Sequence, residues 1–280
     1  MAVIEPSFSF GVIADVQYCD CPPTDVRFYR KSTDKLAECL ATLNQQDLVF
    51  TLDVGDLIDR DYSSFDTILQ EYTTAKSQVY RTLGNHDYSV SSDKLPEVPG
   101  RVGLPASGYY DFVHQGWRFV VLNGTEVSTY AHPPGSEASQ QAEQLMEKLE
   151  KEGKSWAKPW NAGVSDEQLR WLEQRLKKAR RANQKVIVMG HYPLYPEDPH
   201  NLWNAEEVIT TLEQSGNVVA YFNGHNHAGN YGRKKDIHYL NFKGMVDTPD
   251  ENTFAAAHVY PDHLQVEGFG REDSRELALN

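Results

Sequence analysis

No run of about 18 apolar residues occurs anywhere in the 280-residue chain, so nothing in it reads as a membrane-spanning helix. The opening MAVIEPSFSF also lacks the basic start and long apolar stretch of a signal peptide, which predicts a cytoplasmic protein with no membrane partner. Positive charge is scarce as well. Against 40 Asp and Glu stand 27 Lys and Arg, a formal net charge of -13 that repels polyanions. With no basic run to grip a phosphate backbone, a nucleic-acid polymer is excluded as a partner. A small anion can still bind where cations or a few arginines make a local positive centre. Cysteine is rarer still: Cys19, Cys21 and Cys39 form an odd set. The first two sit too close in an extended segment for a comfortable disulfide, so free thiols in a reducing compartment are the expectation. A Cys-x-Cys metal pair would lack its second half.

Hydrophobic content of 40% with 24% charged residues is that of a globular chain. A length of 280 residues can bury one sizeable core, which predicts a single domain over residues 1–280. Residues 8–16 read FSFGVIADV, an apolar run of strand formers ending at an aspartate, as a buried parallel strand does. Residues 27–44 then carry Phe28, Leu36, Ala37, Leu40 and Leu43 at helical spacing. A strand at 48–56, a helix near 65–77 and a strand at 79–85 repeat the pattern, which predicts right-handed crossovers and a largely parallel sheet. Two short runs around His114-Gln115-Gly116 predict a hairpin that begins a second sheet. Residues 128–161 form a polar insert of lid-like character with one helical stretch at 138–152. Ser165 and Gln168 have the Ser-x-x-Gln form of a capping box before the amphipathic LRWLEQRLKKA. A strand at 185–191, a helix around 205–215 and a strand at 218–225 continue the alternation. Finally IHYLNF, TFAAAHVY and HLQVEGF predict an antiparallel meander that closes the second sheet.

Five short segments follow apolar runs directly: Asp15-Val16-Gln17, Gly55-Asp56-Leu57-Ile58-Asp59, Gly84-Asn85-His86-Asp87, Gly190-His191 and Gly224-His225-Asn226-His227. Carboxyl ends of parallel strands share one edge of a sheet, so residues far apart in sequence converge there. Carboxylates, carboxamides and imidazoles gathered in this way are the donor set of a divalent-metal site.

In this order the five segments resemble those of the calcineurin-like metallophosphoesterases. The resemblance implies an α/β fold, a two-sheet β-sandwich of mixed sheets flanked by helices. It implies Asp15, Gln17, Asp56 and His227 as ligands of one metal, and Asp56, Asn85, His191 and His225 of the other, with Asp56 bridging. Most of that family has histidine where this chain has Gln17. A carboxamide oxygen is a harder ligand than imidazole, which shifts preference towards Mn²⁺ and leaves Zn or Fe as other occupants.

Several stretches are similar to a narrower group, the manganese-dependent ADP-ribose/CDP-alcohol diphosphatases. They are Ala14-Asp15-Val16-Gln17-Tyr18, Arg27-Phe28-Tyr29-Arg30, Trp160-Asn161-Ala162-Gly163-Val164-Ser165, His191-x-Pro193 before Leu202-Trp203-Asn204, and Gly244-Met245-Val246-Asp247-Thr248-Pro249. The chain departs from that group in a short 18–27 loop, in Asp87 where glutamate is usual and in Asn201 where cysteine is usual. Those departures bear on base selectivity.

The resemblance implies hydrolysis of a pyrophosphate bond in a small-molecule substrate, with a hydroxide made acidic by two metals as nucleophile. His86, oriented by Asp59, would stabilise the transition state or protonate the leaving oxygen. Arg27, with Arg30 and Lys31, either reaches a distal phosphate or faces solvent. Trp160, Asn161, Trp203 and Asn204 could frame the nucleoside, while His114, His132, His200, His238, His258 and His263 read as structural or surface residues. Two alternatives stay open: a cyclic-nucleotide or glycerophosphodiester phosphodiesterase or phosphomonoesterase on the same core, and a non-catalytic metal-binding scaffold. A scaffold has no use for His86.

Overall fold

The computed structural model describes residues 5–279; residues 1–4, the start of the segment weighed against a signal peptide, and residue 280 lie outside it. In chain order the elements are β1 (Phe8–Ile13), α1 (Ser32–Leu43), β2 (Phe50–Asp53), α2 (Ser64–Tyr72), β3 (Gln78–Arg81), α3 (Val98–Arg101), β4 (Tyr110–His114) and β5 (Trp117–Val121). They continue as α4 (Glu137–Lys151), α5 (Asp166–Arg181), β6 (Lys185–Met189), α6 (Ala205–Ser215), β7 (Val218–Asn223), β8 (Asn230–Lys234), β9 (Ile237–Asn241), β10 (Thr253–Val259), β11 (His263–Gly270) and β12 (Arg275–Ala278). No helix among the described residues is long and apolar enough to cross a membrane.

Two six-stranded sheets result, in the orders β12-β11-β10-β1-β2-β3 and β4-β5-β6-β7-β9-β8. The strands β1, β2 and β3 are parallel, as are β5, β6, β7 and β9. Apolar side chains on the inner faces interlock: Phe10 stacks on Phe50 at 5.2 Å, and Phe119 meets both rings edge-on. Burying each such ring contributes about 1.5–3 kcal/mol. On the outer face of the first sheet, Leu36, Leu40, Phe65 and Ile68 of α1 and α2 pack beneath Ile13. The second sheet is covered by Leu172 and Leu176 of α5 and Val208 and Leu212 of α6. The architecture is the two-sheet α/β sandwich the resemblance implied.

Three expectations need correction. The tail does not close the second sheet as one meander: β9 joins it, parallel to β7, while β10 crosses over and pairs antiparallel with β1. The free edge of β1 needed a partner, and the largely apolar TFAAAHV strand supplies one, buried on both faces except at His258. The capping box is half made. Ser165 caps the Gln168 N–H, but Gln168 turns to the Asn123 backbone, and the Ser165 N–H is taken by Glu126. Cys19 and Cys21 are joined in a disulfide with Cα atoms 5.3 Å apart, because the chain bends at Asp20 rather than running extended. Cys39 is a buried free thiol.

Candidate metal centre

Three of the five segments leave their strands through left-handed turns. The strands end earlier than the apolar runs do, since Asp15 (φ 52°), Gln17 (φ 44°), Asp56 (φ 58°) and His225 (φ 71°) are left-handed. Non-glycine residues rarely hold that conformation, which costs about 1–3 kcal/mol at each site and persists only where the surroundings enforce it. Close approach makes the glycines obligatory: a Cβ on Gly84 would lie 2.1 Å from Asp56 Oδ1, and one on Gly224 would lie 2.4 Å from Asp15 Oδ2. Asp87 locks the turns together, since its carboxylate accepts the N–H groups of Asp56, Leu57, Ile58 and Gly84.

These turns bring the implied ligands from both sheets to one place. Gln17 Nε2 is 3.0 Å from Asp56 Oδ2 and 3.0 Å from His227 Nε2. His191 Nε2 is 3.2 Å from Asp56 Oδ2, and His227 Nε2 is 3.5 Å from Asp15 Oδ1. Ligand atoms of Asp56, His191 and His225 lie within 4.8 Å of one another. Gln17 Oε1 and Asn85 Oδ1 are buried with no hydrogen-bond partner, while His191 Nε2, which makes no well-aligned hydrogen bond, has only the Asp56 carboxylate beside it. Orphaned acceptors of this kind are costly in a folded chain and are what a cation would satisfy. The residues fit a metal group.

Electrostatics agree. Burial opposes charge on Asp56, but His191 and His86 outweigh it and hold the carboxyl below the usual carboxylate range. Burial likewise opposes charge on His191 and His227, yet Asp56 lifts the first and Asp15 with Asp247 the second, each to about 9. Burial together with the nearby His191 keeps His225 well below the usual imidazole value.

A cavity of about 380 Å³ opens over this cluster, lined by Gln17, Asp56, Asn85, His225 and His227 and, on its rim, by Arg27, His86, Trp160 and His200. His86 Nδ1 lies 3.1 Å from Asp59 Oδ1, and its Nε2 lies 3.3 Å from Arg27 Nη1. Arg30 instead pairs with Asp20 in solvent. Trp203 and Asn204 are absent from the cavity wall. Indole Nε1 of Trp203 donates to the Lys158 carbonyl, and Asn204 clips the backbone of Val164. Asn161 is buried and faces His225 rather than open space. Of the four residues that could frame a nucleoside, these three have their polar groups spent on the loops and on His225.

His200, read as structural or surface, lines the cavity. Its Nδ1 is 2.6 Å from Asp198, whose other oxygen accepts from Asn226 between two implied ligands. No periodicity signals that placement. Asp247, 2.8 Å from His227 Nδ1, lies in the 244–249 stretch that carried the resemblance, which assigned it no role.

A model of the family described as calcineurin-like phosphoesterase matches residues 8–229. The chain is 31% identical to a manganese-dependent ADP-ribose/CDP-alcohol diphosphatase of Arabidopsis thaliana, over 99% of this chain and 98% of that one. It is 28% identical to the Homo sapiens protein of the same name, over 97% and 92%. A solved dimetal phosphatase from Danio rerio superposes with a TM-score of 0.89 at 23% identity, covering 99% of this chain and all of its own, which is a likeness of fold.

Proposed function

The chain belongs to the calcineurin-like phosphoesterase family, and from that premise we propose a diphosphatase that cleaves the pyrophosphate bond of ADP-ribose-like or CDP-alcohol-like substrates with two divalent metal ions, manganese preferred. The observation that carries this reading is the convergence of two orphaned, buried amide oxygens, Gln17 Oε1 and Asn85 Oδ1, with Asp15, Asp56, His191, His225 and His227 beneath one cavity. Asp15, Gln17, Asp56 and His227 would hold one ion, and Asp56, Asn85, His191 and His225 the other. Bound there, the ions supply positive charge for the phosphate oxygens and acidify the attacking water.

The remaining chemistry belongs to the rim. Asp15 and Asp56 cancel half the charge of two divalent ions, leaving roughly +2 to clamp a pyrophosphate diester on a protein of net charge -13. Arg27 faces the same cavity as His86 and can bind a phosphate oxygen through its guanidinium. Asp59 holds the Nδ1 edge of His86, which turns Nε2 to the cavity beside Arg27, placed to give a proton to a leaving oxygen once the guanidinium has moved onto a phosphate. The exposed indole of Trp160 offers a flat face to the nucleobase. Small molecules, not polymers, suit a cavity of this size.

The test is hydrolysis by metal-stripped protein reloaded with Mn²⁺, comparing ADP-ribose, CDP-choline, a cyclic nucleotide and an aryl phosphate, with Asp56→Asn as control. Preference for the two pyrophosphates, lost in the variant, is the expected result. Preference for the cyclic or aryl ester would move the function to a phosphodiesterase or phosphomonoesterase on the same centre.

A further inference from the structure

Asn161 is the last residue of the polar insert and is fully buried. Its Nδ2 donates to the carbonyls of Trp156 at 2.9 Å and Pro199 at 2.7 Å. Both amide hydrogens are thus committed to groups that only accept, so the carboxamide cannot be turned over without setting its oxygen against two carbonyls. Its Oδ1 faces His225 Nε2 at 2.8 Å. An amide oxygen only accepts, so the ring nitrogen must be the donor. A neutral imidazole carries one ring hydrogen, and with that hydrogen on Nε2 the lone pair is left on Nδ1. His191 and His227 are held the other way round: Nδ1 of each faces an acceptor, Val54 O at 2.9 Å and Asp247 Oδ1 at 2.8 Å, which leaves Nε2 for the centre.

We propose that Asn161 is a positioning residue: it fixes the tautomer of His225, so that this histidine presents Nδ1 to the metal centre where its two neighbours present Nε2. This rests on the metal-binding half of the function proposed above. The anchor is rigid on both sides. Trp156 Nε1 donates to Trp203 O, Asn161 N–H to Lys158 O and Trp203 N–H to Ala162 O, so residues 156–162 are pinned to the 199–204 loop. Through Asn161 the insert therefore contributes to the metal centre itself. Partners that orient a metal-binding histidine typically change metal affinity ten- to a hundredfold when removed.

The first arm needs no variant. Long-range proton–nitrogen NMR of metal-free protein labelled with nitrogen-15 is expected to show His225 as the Nε2–H tautomer; an Nδ1–H form overturns the proposal. In the second arm, Asn161→Leu removes the carboxamide at similar volume. Calorimetric titration with Mn²⁺ should show affinity for one of the two ions falling about ten- to a hundredfold, while at saturating Mn²⁺ the KM for ADP-ribose stays that of the parent. Unchanged Mn²⁺ affinity, with or without a raised KM, overturns it. A protein that binds two Mn²⁺ but cleaves no pyrophosphate would leave this assignment standing and remove only the substrate reading.

Discussion

His86 has a partner at each ring nitrogen, Asp59 on one side and Arg27 on the other, and burial is outweighed by Asp56 and Asp59, which raise its pKa above the ordinary imidazole value. The shift favours the protonated form, which is suited to give a proton from Nε2 once the Arg27 guanidinium, itself only a donor, turns from that nitrogen to a phosphate oxygen. A nucleotide phosphate departs readily without that proton; an alkoxide does not. His86→Ala is therefore expected to slow alkyl phosphodiesters by about 10²–10⁴-fold in kcat, and pyrophosphates by much less. Parallel kinetics on the two substrate types check this, and equal slowing of both would count against proton donation.

One irregular element ties the centre to the scaffold. The loop from Gly244 to Thr248 takes the Ala14 and Asp15 carbonyls through the N–H groups of Met245 and Val246, packs Gly244 on the His227 ring, and bridges Arg27 through Asp247. From α1, Lys35 Nζ donates to the carbonyls of Met245, Asp247 and Thr248, and Arg271 adds to those of Gly244 and Asp247. Lys35→Met would strand the Met245 and Thr248 carbonyls and leave that of Asp247 to Arg271 alone, a loss of about 1–3 kcal/mol for each left dry. A lower Tm together with weaker Mn²⁺ binding is the predicted result in calorimetry; a lower Tm with Mn²⁺ affinity intact would confine Lys35 to stability. None of this was legible beforehand, because a lysine in an amphipathic helix gives no sign that it turns inward. The repeated unit of strand and Gly-turn was legible, since apolar runs ending in Asp15, Gly55 and Gly190 carry period and punctuation together. The β10 crossover was not, because a run such as TFAAAHV suits either sheet. The Cys19–Cys21 link was missed for a similar reason: its geometry depends on a bend that no residue type there dictates.

At the scale of the molecule, a chain of net charge -13 concentrates cationic imidazoles at one cleft until metal replaces their protons. In the metal-free protein His191 and His227 have pKa values of about 9, above the unfolded value near 6.5. Their contribution to folding stability is then complete below pH 6.5 and is lost as pH rises through 9. Metal binding runs in the opposite sense, since both rings must shed a proton. Mn²⁺ affinity is expected to rise between pH 7 and pH 9 by up to about tenfold per unit for each proton released, and to level off above. Titration calorimetry in buffers of different ionisation enthalpy reads both affinity and proton release; a pH-independent affinity would show that the rings are already neutral.

The most direct measurement is a crystal of the Mn²⁺-loaded protein with anomalous scattering recorded at the manganese edge. Two peaks about 3.5–4 Å apart are predicted, one against Asp15, Gln17 and His227 and the other against Asn85, His191 and His225, with Asp56 between them. A single peak, or peaks away from those side chains, would contradict the two-metal centre on which the diphosphatase reading stands.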